Sequence, residues 1–147
     1  MTDFDPHRIC PILIEQSPDA ILCCDRDGII RLWNRGAERL FGFTSDEALG
    51  ASLDIIIPKR LRARHWLGYR QVMATGISSY GNKLLAVPAL HRDGTERSIE
   101  FSIVLLRDAA HGVAGVASIM RDVSERFQRE KALRAEMTAL RENRATN

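Results

Sequence analysis

The chemistry that this sequence offers centres on one histidine. His65 lies within residues 59–75, a stretch that predicts a helix closed by the next glycine. At 3.6 residues per turn, His65 shares one stripe of that helix with Leu61, Gly68 and Val72, and the stripe is typical of a core-facing side. A neutral imidazole nitrogen in such a place is an axial ligand of the kind that iron porphyrins use. The same position also suits a hydrogen-bonded histidine at the edge of a core, so helical position leaves both interpretations open.

The glycine one turn after His65 bears on the same two interpretations of the histidine. A glycine inside a helix costs about 1 kcal/mol relative to alanine, which suggests that something needs close approach at Gly68. A flat macrocycle is one candidate, and an accident of packing is the other. Tyr69 lies beside the same stripe.

Other chemistry finds little support. The chain has no glycine-rich phosphate loop, no Gly-x-Ser-x-Gly motif and no paired carboxylates in a plausible cleft, so we expect that it is not an enzyme. The remaining histidines, His7, His91 and His111, and the three cysteines lack the spacing of a zinc site. Cys10 precedes a proline, as in short haem-regulatory sites, but that dipeptide is common by chance.

Composition narrows the class of protein. The 147 residues suffice for one domain with a core, 45% of them are hydrophobic and the net charge is +2, too small to favour nucleic acid as a partner. Three cysteines, two of them adjacent, suggest no disulfide framework and a reduced cytoplasmic setting. No apolar run approaches the ~20 residues that a membrane helix needs.

The elements that must position His65 begin with a hairpin. Two apolar runs, Ala20–Cys24 and Ile29–Trp33, flank an Asp-Gly turn, which is a strong hairpin signal. Asn34 then serves as the N-cap of a short helix, residues 35–41. Thr44 and the glutamate three residues later form a capping box for the next helix.

Three more strands and two further helices complete the prediction. Residues 80–90, 97–106 and 113–123 predict strands, and polar and apolar residues alternate in the middle one, as in an antiparallel sheet with one wet face. A leading helix over residues 9–16, limited by Pro11, and an amphipathic exit helix from Ser124 flank them. The expected fold is an α+β layer of five antiparallel strands with short helices on one face. The expected units are residues 1–18 as a leading cap, 19–123 as the domain and 124–147 as the exit helix.

This order of motifs resembles the PAS sensor family over residues 12–126. The segments that carry the resemblance are residues 27–34, DGIIRLWN, 37–43, AERLFGF, 47–50, EALG, 92–95, RDGT, and 121–126, RDVSER. The resemblance implies a curved five-stranded sheet whose helices enclose a small ligand pocket. It also implies that the state of the ligand passes through the last strand to the exit helix. Asp122 and Arg126 match the family's junction motif, and a helix cap with an exposed ion pair is the simpler interpretation.

The haem-binding PAS domains of bacterial oxygen-sensor kinases resemble the helix around His65. They carry a proline, a basic stretch and then the ligand histidine, as Pro58, Arg62, Arg64 and His65 do here. The resemblance implies that His65 binds the iron of haem b and that Arg62 or Arg64 pairs with a propionate.

The chain departs from the oxygen-sensing members at one position. The arginine that hydrogen-bonds the gas in those proteins is matched here by Leu85. The resemblance then implies an apolar distal wall, which favours carbon monoxide or nitric oxide over oxygen. The residues expected in that wall are Leu84, Leu85, Phe101, Ile103 and Val116.

Two alternatives to haem stay open. One is a cofactor-free interaction module whose pocket is filled by its own side chains, and the other is a PAS domain for a different small apolar ligand. A flavin photosensor is not expected, because the required cysteine at the start of the long helix is missing. In either case we expect a homodimer through the terminal helices and an effector domain or a partner protein in trans, with no contact to nucleic acid or membrane.

Overall fold

The computed structural model describes residues 4–78, 85–110 and 112–147, and it contains five strands and five α-helices in that part of the chain. No helix among these residues is long and apolar enough to cross a membrane. Two short 3₁₀ helices, Leu53–Ile56 and Lys59–Leu61, precede the long helix. In chain order the elements are α1 Pro6–Gln16, β1 Ala20–Asp25, β2 Ile30–Trp33, α2 Arg35–Phe41, α3 Ser45–Ala48, α4 Arg62–Thr75, β3 Leu85–Leu90, β4 Glu96–Arg107, β5 Val113–Asp122 and α5 Ser124–Thr146.

The five strands form one antiparallel sheet in the order β2-β1-β5-β4-β3. The predicted α+β class and five-stranded sheet are therefore confirmed. Pro88 lies in β3 at the edge of the sheet, where its missing amide hydrogen costs no ladder bond to a further strand. The start predicted for this strand, residues 80–84, lies outside the described residues. One face of β4 is apolar, with Ile99 buried, as the alternation predicted.

The turn between β1 and β2 is fixed by a glycine and a tryptophan together. Gly28 has a φ of 76°, a conformation that side chains with a Cβ rarely adopt. A Cβ on Gly28 would also lie 2.1 Å from the indole of Trp66, which rests over the turn from helix α4. The indole nitrogen donates a 2.7 Å hydrogen bond to Asp54. The hairpin and the long helix are thus packed against each other directly.

The buried amide of Asn34 joins three elements. Its Oδ1 accepts hydrogen bonds from the amides of Ile21, at 2.8 Å, and Ala37, at 2.9 Å. Its Nδ2 donates to the carbonyls of Ile14, at 2.7 Å, and Asp19, at 3.0 Å. All four hydrogen-bonding positions of the side chain are used, although Asn34 is only 1% exposed. The N-cap role predicted from the sequence is confirmed. The N-cap bond to Ala37 is one of the four hydrogen bonds that the side chain makes.

The leading helix differs from its prediction. It begins at Pro6, with Asp5 as the N-cap, and it continues through Pro11, which was expected to limit it. A proline inside a helix removes one backbone hydrogen bond. The far end of the helix is held independently, because Asn34 binds the carbonyl of Ile14 there.

The exit helix starts directly from the last strand. The hydroxyl of Ser124 accepts a hydrogen bond from the amide of Ser98 at 2.9 Å, and the amide of Val123 donates to the carbonyl of Ser98 at 2.8 Å. The start of α5 is therefore tied to β4 as well as to β5.

We predict that Asn34→Ala lowers the free energy of unfolding by about 3 kcal/mol or more, because it leaves four buried backbone groups without their partner. Urea denaturation followed by circular dichroism measures this. The control Asn143→Ala, on an exposed turn of α5, should change stability by less than about 0.5 kcal/mol. A loss below about 1 kcal/mol for Asn34→Ala would mean that the four bonds add little to stability.

Candidate functional site

A cavity of about 1030 Å³ lies between helix α4 and the inner face of the sheet. Its volume is at the upper end of the range for small-molecule sites, about 300–1,000 Å³. One wall consists of side chains from α4, and the opposite wall of side chains from β1, β3, β4 and β5. The cavity is therefore large enough for a ligand of the size of a porphyrin.

His65 lies in the α4 wall of this cavity. Its Nδ1 is buried without a hydrogen-bond partner among the described residues. The ring packs edge-on against Trp66, with ring centres 4.7 Å apart. Burial lowers the pKa of His65, and the negative charge of Asp54 partly opposes this, so the ring is neutral at neutral pH.

The predicted neighbours of His65 on α4 also line the cavity. Gly68, Tyr69 and Val72 are all in this wall. A Cβ on Gly68 would meet no atom within 4 Å, so the glycine leaves open space beside His65. The hydroxyl of Tyr69 donates a 2.5 Å hydrogen bond to the carbonyl of Asp25, and burial raises the pKa of this phenol. Tyr69 therefore fixes the wall to the β1–β2 turn.

The structure separates the two arginines that were predicted to meet a propionate. Arg64 lies at the cavity and has no ion pair or hydrogen bond with any described residue. Arg62 is not among the lining residues. Its guanidinium donates to the carbonyl of Ile57 at 3.0 Å and to that of Asp54 at 3.2 Å. Arg64 is thus the arginine that remains available at the cavity.

The sheet wall is largely the apolar surface that was expected. Leu85, Ile103 and Val116 line the cavity. Phe101 is not among the lining residues, and its partly buried side chain packs against the hydrophobic core instead. Leu84 lies outside the described residues.

Sequence reasoning missed several lining residues. Ser118 and Met120 follow Val116 at every second position of β5, and that alternation was the available signal. The hydroxyl of Ser118 donates to the carbonyl of Ser102 at 2.9 Å, so it is already used. Cys24 also lines the cavity, and burial raises the pKa of its thiol to about 12, which makes it an inert packing residue.

Asp122 and Arg126, which match the junction motif, have different hydrogen-bond partners. Oδ1 of Asp122 accepts a 2.8 Å hydrogen bond from the amide of Ser124 at the start of α5. Arg126 pairs with Glu100 of β4, not with Asp122. The helix cap and the exposed ion pair both exist, and together they join the exit helix to two strands. The part of the chain that the structure describes holds no group of three or more histidine, cysteine, aspartate or glutamate side chains that could together hold a metal ion.

Residues 14–128 match a family model described as the PAS fold. Sensor protein FixL of Bradyrhizobium diazoefficiens is 32% identical over 124 residues, which are 82% of this chain and 24% of FixL. An uncharacterised protein of Azorhizobium caulinodans is 31% identical over 122 residues, which are 82% of this chain and 16% of that protein. The chain therefore spans about a quarter or less of the length of these curated relatives.

Solved structures show the same fold. The PAS domain of a protein from Colwellia psychrerythraea superposes with a TM-score of 0.72 at 22% identity, covering 82% of this chain and 99% of that one. The PAS domain of BvgS from Bordetella pertussis superposes with a TM-score of 0.62 at 19% identity, covering 92% and 98%.

The burial of His65 predicts a pH dependence of stability. Its folded pKa lies below the ordinary 6.5, so the unfolded chain takes up the proton first as the pH falls. Stability is therefore unaffected above about pH 7.5 and decreases as the pH falls through 6.5 towards the folded pKa. We expect His65→Gln to lose stability less steeply than the wild type in that window, in urea titrations at a series of pH values. The exposed His7→Gln should follow the wild-type slope, and parallel curves for His65→Gln and wild type would contradict the prediction.

Proposed function

The chain belongs to the PAS fold family, and on that premise we propose that it is a sensory module that binds haem b through His65. The observation that carries the proposal is a histidine in the wall of a cavity of about 1030 Å³, with its pKa lowered by burial and its Nδ1 without a partner among the described residues. When bound, haem supplies an iron centre that takes a small gas as a further ligand.

The residues of the cavity fit this group. A neutral imidazole is the protonation state that binds iron, and burial keeps His65 in it. Gly68 leaves room for a flat ring beside the histidine. Arg64 lies at the cavity with its guanidinium unpaired among the described residues, where it is available for a carboxylate of the porphyrin edge. Each of these three features lies on α4, so one helix supplies the iron ligand, the space and the counter-charge.

The opposite wall decides which gas is preferred. Leu85, Ile103 and Val116 have no hydrogen-bond donors in their side chains, and the hydroxyl of Ser118 is committed to Ser102. Bound oxygen carries partial negative charge and is stabilised by a donor, whereas carbon monoxide and nitric oxide need none. We therefore propose carbon monoxide or nitric oxide as the signal in preference to oxygen. The proposed role is binding and signalling, without catalysis.

The haem proposal predicts a Soret band in protein that is expressed with added haemin and purified. His65→Ala should abolish or shift this band because it removes the axial ligand, while His7→Ala on the exposed part of α1 should leave it unchanged. The readout is the absorption spectrum with haem stoichiometry by the pyridine haemochrome assay.

A second variant shows whether a loss of haem binding comes from the cavity or from misfolding. Gly68→Ala should stabilise the haem-free protein by about 1 kcal/mol, because alanine is the better helix residue. The same variant should weaken haem binding, because its methyl group enters the open space of the cavity. A wild type without a Soret band, or a band that survives unchanged in His65→Ala, rejects haem ligation by this residue.

A second candidate function is assembly through the exit helix, with or without a cofactor. Phe127, Leu133, Met137 and Leu140 of α5 are each at least half exposed. The last three are spaced four and three apart, which is the spacing of a coiled-coil seam. We propose that this seam pairs two copies of the chain and carries the signal to an effector domain or a partner protein.

Substitution of the seam tests this assembly. The double variant Leu133→Lys and Leu140→Lys should convert a dimer to a monomer, because it places like charges in the contact between the helices. Light scattering coupled to size-exclusion chromatography gives the mass. The matched control Arg134→Lys and Arg141→Lys, which keeps every charge on the same helix, should remain dimeric. A wild type that is monomeric, or a lysine variant that stays dimeric, contradicts this role of α5.

A further inference from the structure

A second pocket, of about 430 Å³, lies where the sheet meets the start of the exit helix. Its floor is buried and is formed by Ala20, Gly36 and Met120. Its walls come from the linker before β1, from α2, from the β3–β4 turn and from the end of β5. Met120 also lines the large cavity, so the two spaces share one lining residue.

The groups around this pocket are mostly basic. Its two carboxylates are already bound: Asp19 accepts a forked pair of hydrogen bonds from Arg121 at 3.0 and 3.1 Å, and Asp122 accepts from the amide of Ser124. The half-buried imidazole of His91 uses Nδ1 to accept from the amide of Asp93. The titratable residues that line the pocket are Asp19, Arg39, His91, Arg97, Arg121 and Asp122.

Two guanidinium groups at the pocket lack a close acceptor. Nε of Arg97 is buried and makes no hydrogen bond, and its nearest carboxylate is that of Asp93, 3.6 Å from a terminal nitrogen. Arg39 forms no ion pair or hydrogen bond with any residue in the described ranges. Arg39 is exposed, whereas the buried Nε of Arg97 is a charged donor left without an acceptor, which costs free energy. The pocket thus presents two cationic groups that an anion would satisfy.

We propose that this pocket binds a small oxyanion, either phosphate or a short dicarboxylate. Guanidinium groups bind the oxygens of both by paired, charge-assisted hydrogen bonds. The donors that such an anion would satisfy are the buried Nε of Arg97, whose terminal nitrogen also pairs with Asp93, and the exposed guanidinium of Arg39. An anion held there lies beside Asp122, whose carboxylate accepts from the amide of Ser124 at the start of α5, so the site is placed to act on the exit helix.

The test uses the whole chain at pH 7 and constant ionic strength set with sodium chloride. Titration with inorganic phosphate or with succinate, followed by calorimetry, should give saturable binding by one of them, and the tighter ligand identifies which kind of oxyanion the pocket takes. Arg39→Gln and Arg97→Gln should each weaken binding about tenfold. Arg70→Gln, an exposed arginine on α4 that lines neither pocket, is the matched control and should not change it.

A second measurement locates the site and guards against a variant that fails to fold. Amide resonances of Gly36 and Arg121 should shift with the saturating ligand in ¹H–¹⁵N spectra of the wild type, and the unliganded spectra show whether each variant is folded. No saturable binding of either ligand, an equal loss in Arg70→Gln, or shifts that leave Gly36 and Arg121 unmoved would overturn the proposal.

Discussion

The hydrogen bonds of one buried amide set the geometry on which the rest of the domain depends. Asn34 is the meeting point of α1, β1 and α2, and each of its four hydrogen bonds goes to a backbone group of a different segment or turn. Backbone groups must be paired when buried, so the leading helix and the first strand have a single way to sit against the hairpin. The position of β1 then sets that of β5, which pairs with it in the middle of the sheet.

Helix α4 has to satisfy two demands that oppose each other. It must be anchored well enough to hold His65 in place, and it must leave one side unpacked for a ligand. The anchors lie on its hairpin side, where Trp66 hydrogen-bonds Asp54 and Tyr69 hydrogen-bonds the carbonyl of Asp25. The unpacked side contains Gly68, beside which there is open space. Of the described residues of the helix itself, only Met73 is fully buried, so α4 is held by a few specific polar contacts and aromatic packing more than by a broad apolar face.

Local signals in the sequence predicted the local structure well. The hairpin, the caps at Asn34 and Thr44 and the stop at Gly76 follow from short-range chemistry, and each was found where expected. Predictions failed where distant segments decide the outcome. Pro11 does not end α1, whose far end is held by a side chain twenty residues later. Phe101 packs against the core instead of lining the cavity. Arg62 differs for a local reason, because backbone carbonyls of the segment just before it accept its hydrogen bonds. The basic pocket was not anticipated, because its arginines come from three elements that are far apart in the chain.

The packing of Trp66 over Gly28 links two positions that are thirty-eight residues apart in the chain. The glycine is required twice, once by its backbone angle and once by the indole that occupies the space of a Cβ. A change in the backbone angle of the turn alone would therefore not allow a larger residue at position 28. In a homologous sequence with this geometry, a residue larger than glycine at position 28 must be accompanied by a smaller residue at position 66. The histidine next to that position then loses its edge-on aromatic neighbour, so the turn and the chemical environment of the cavity must change together in evolution.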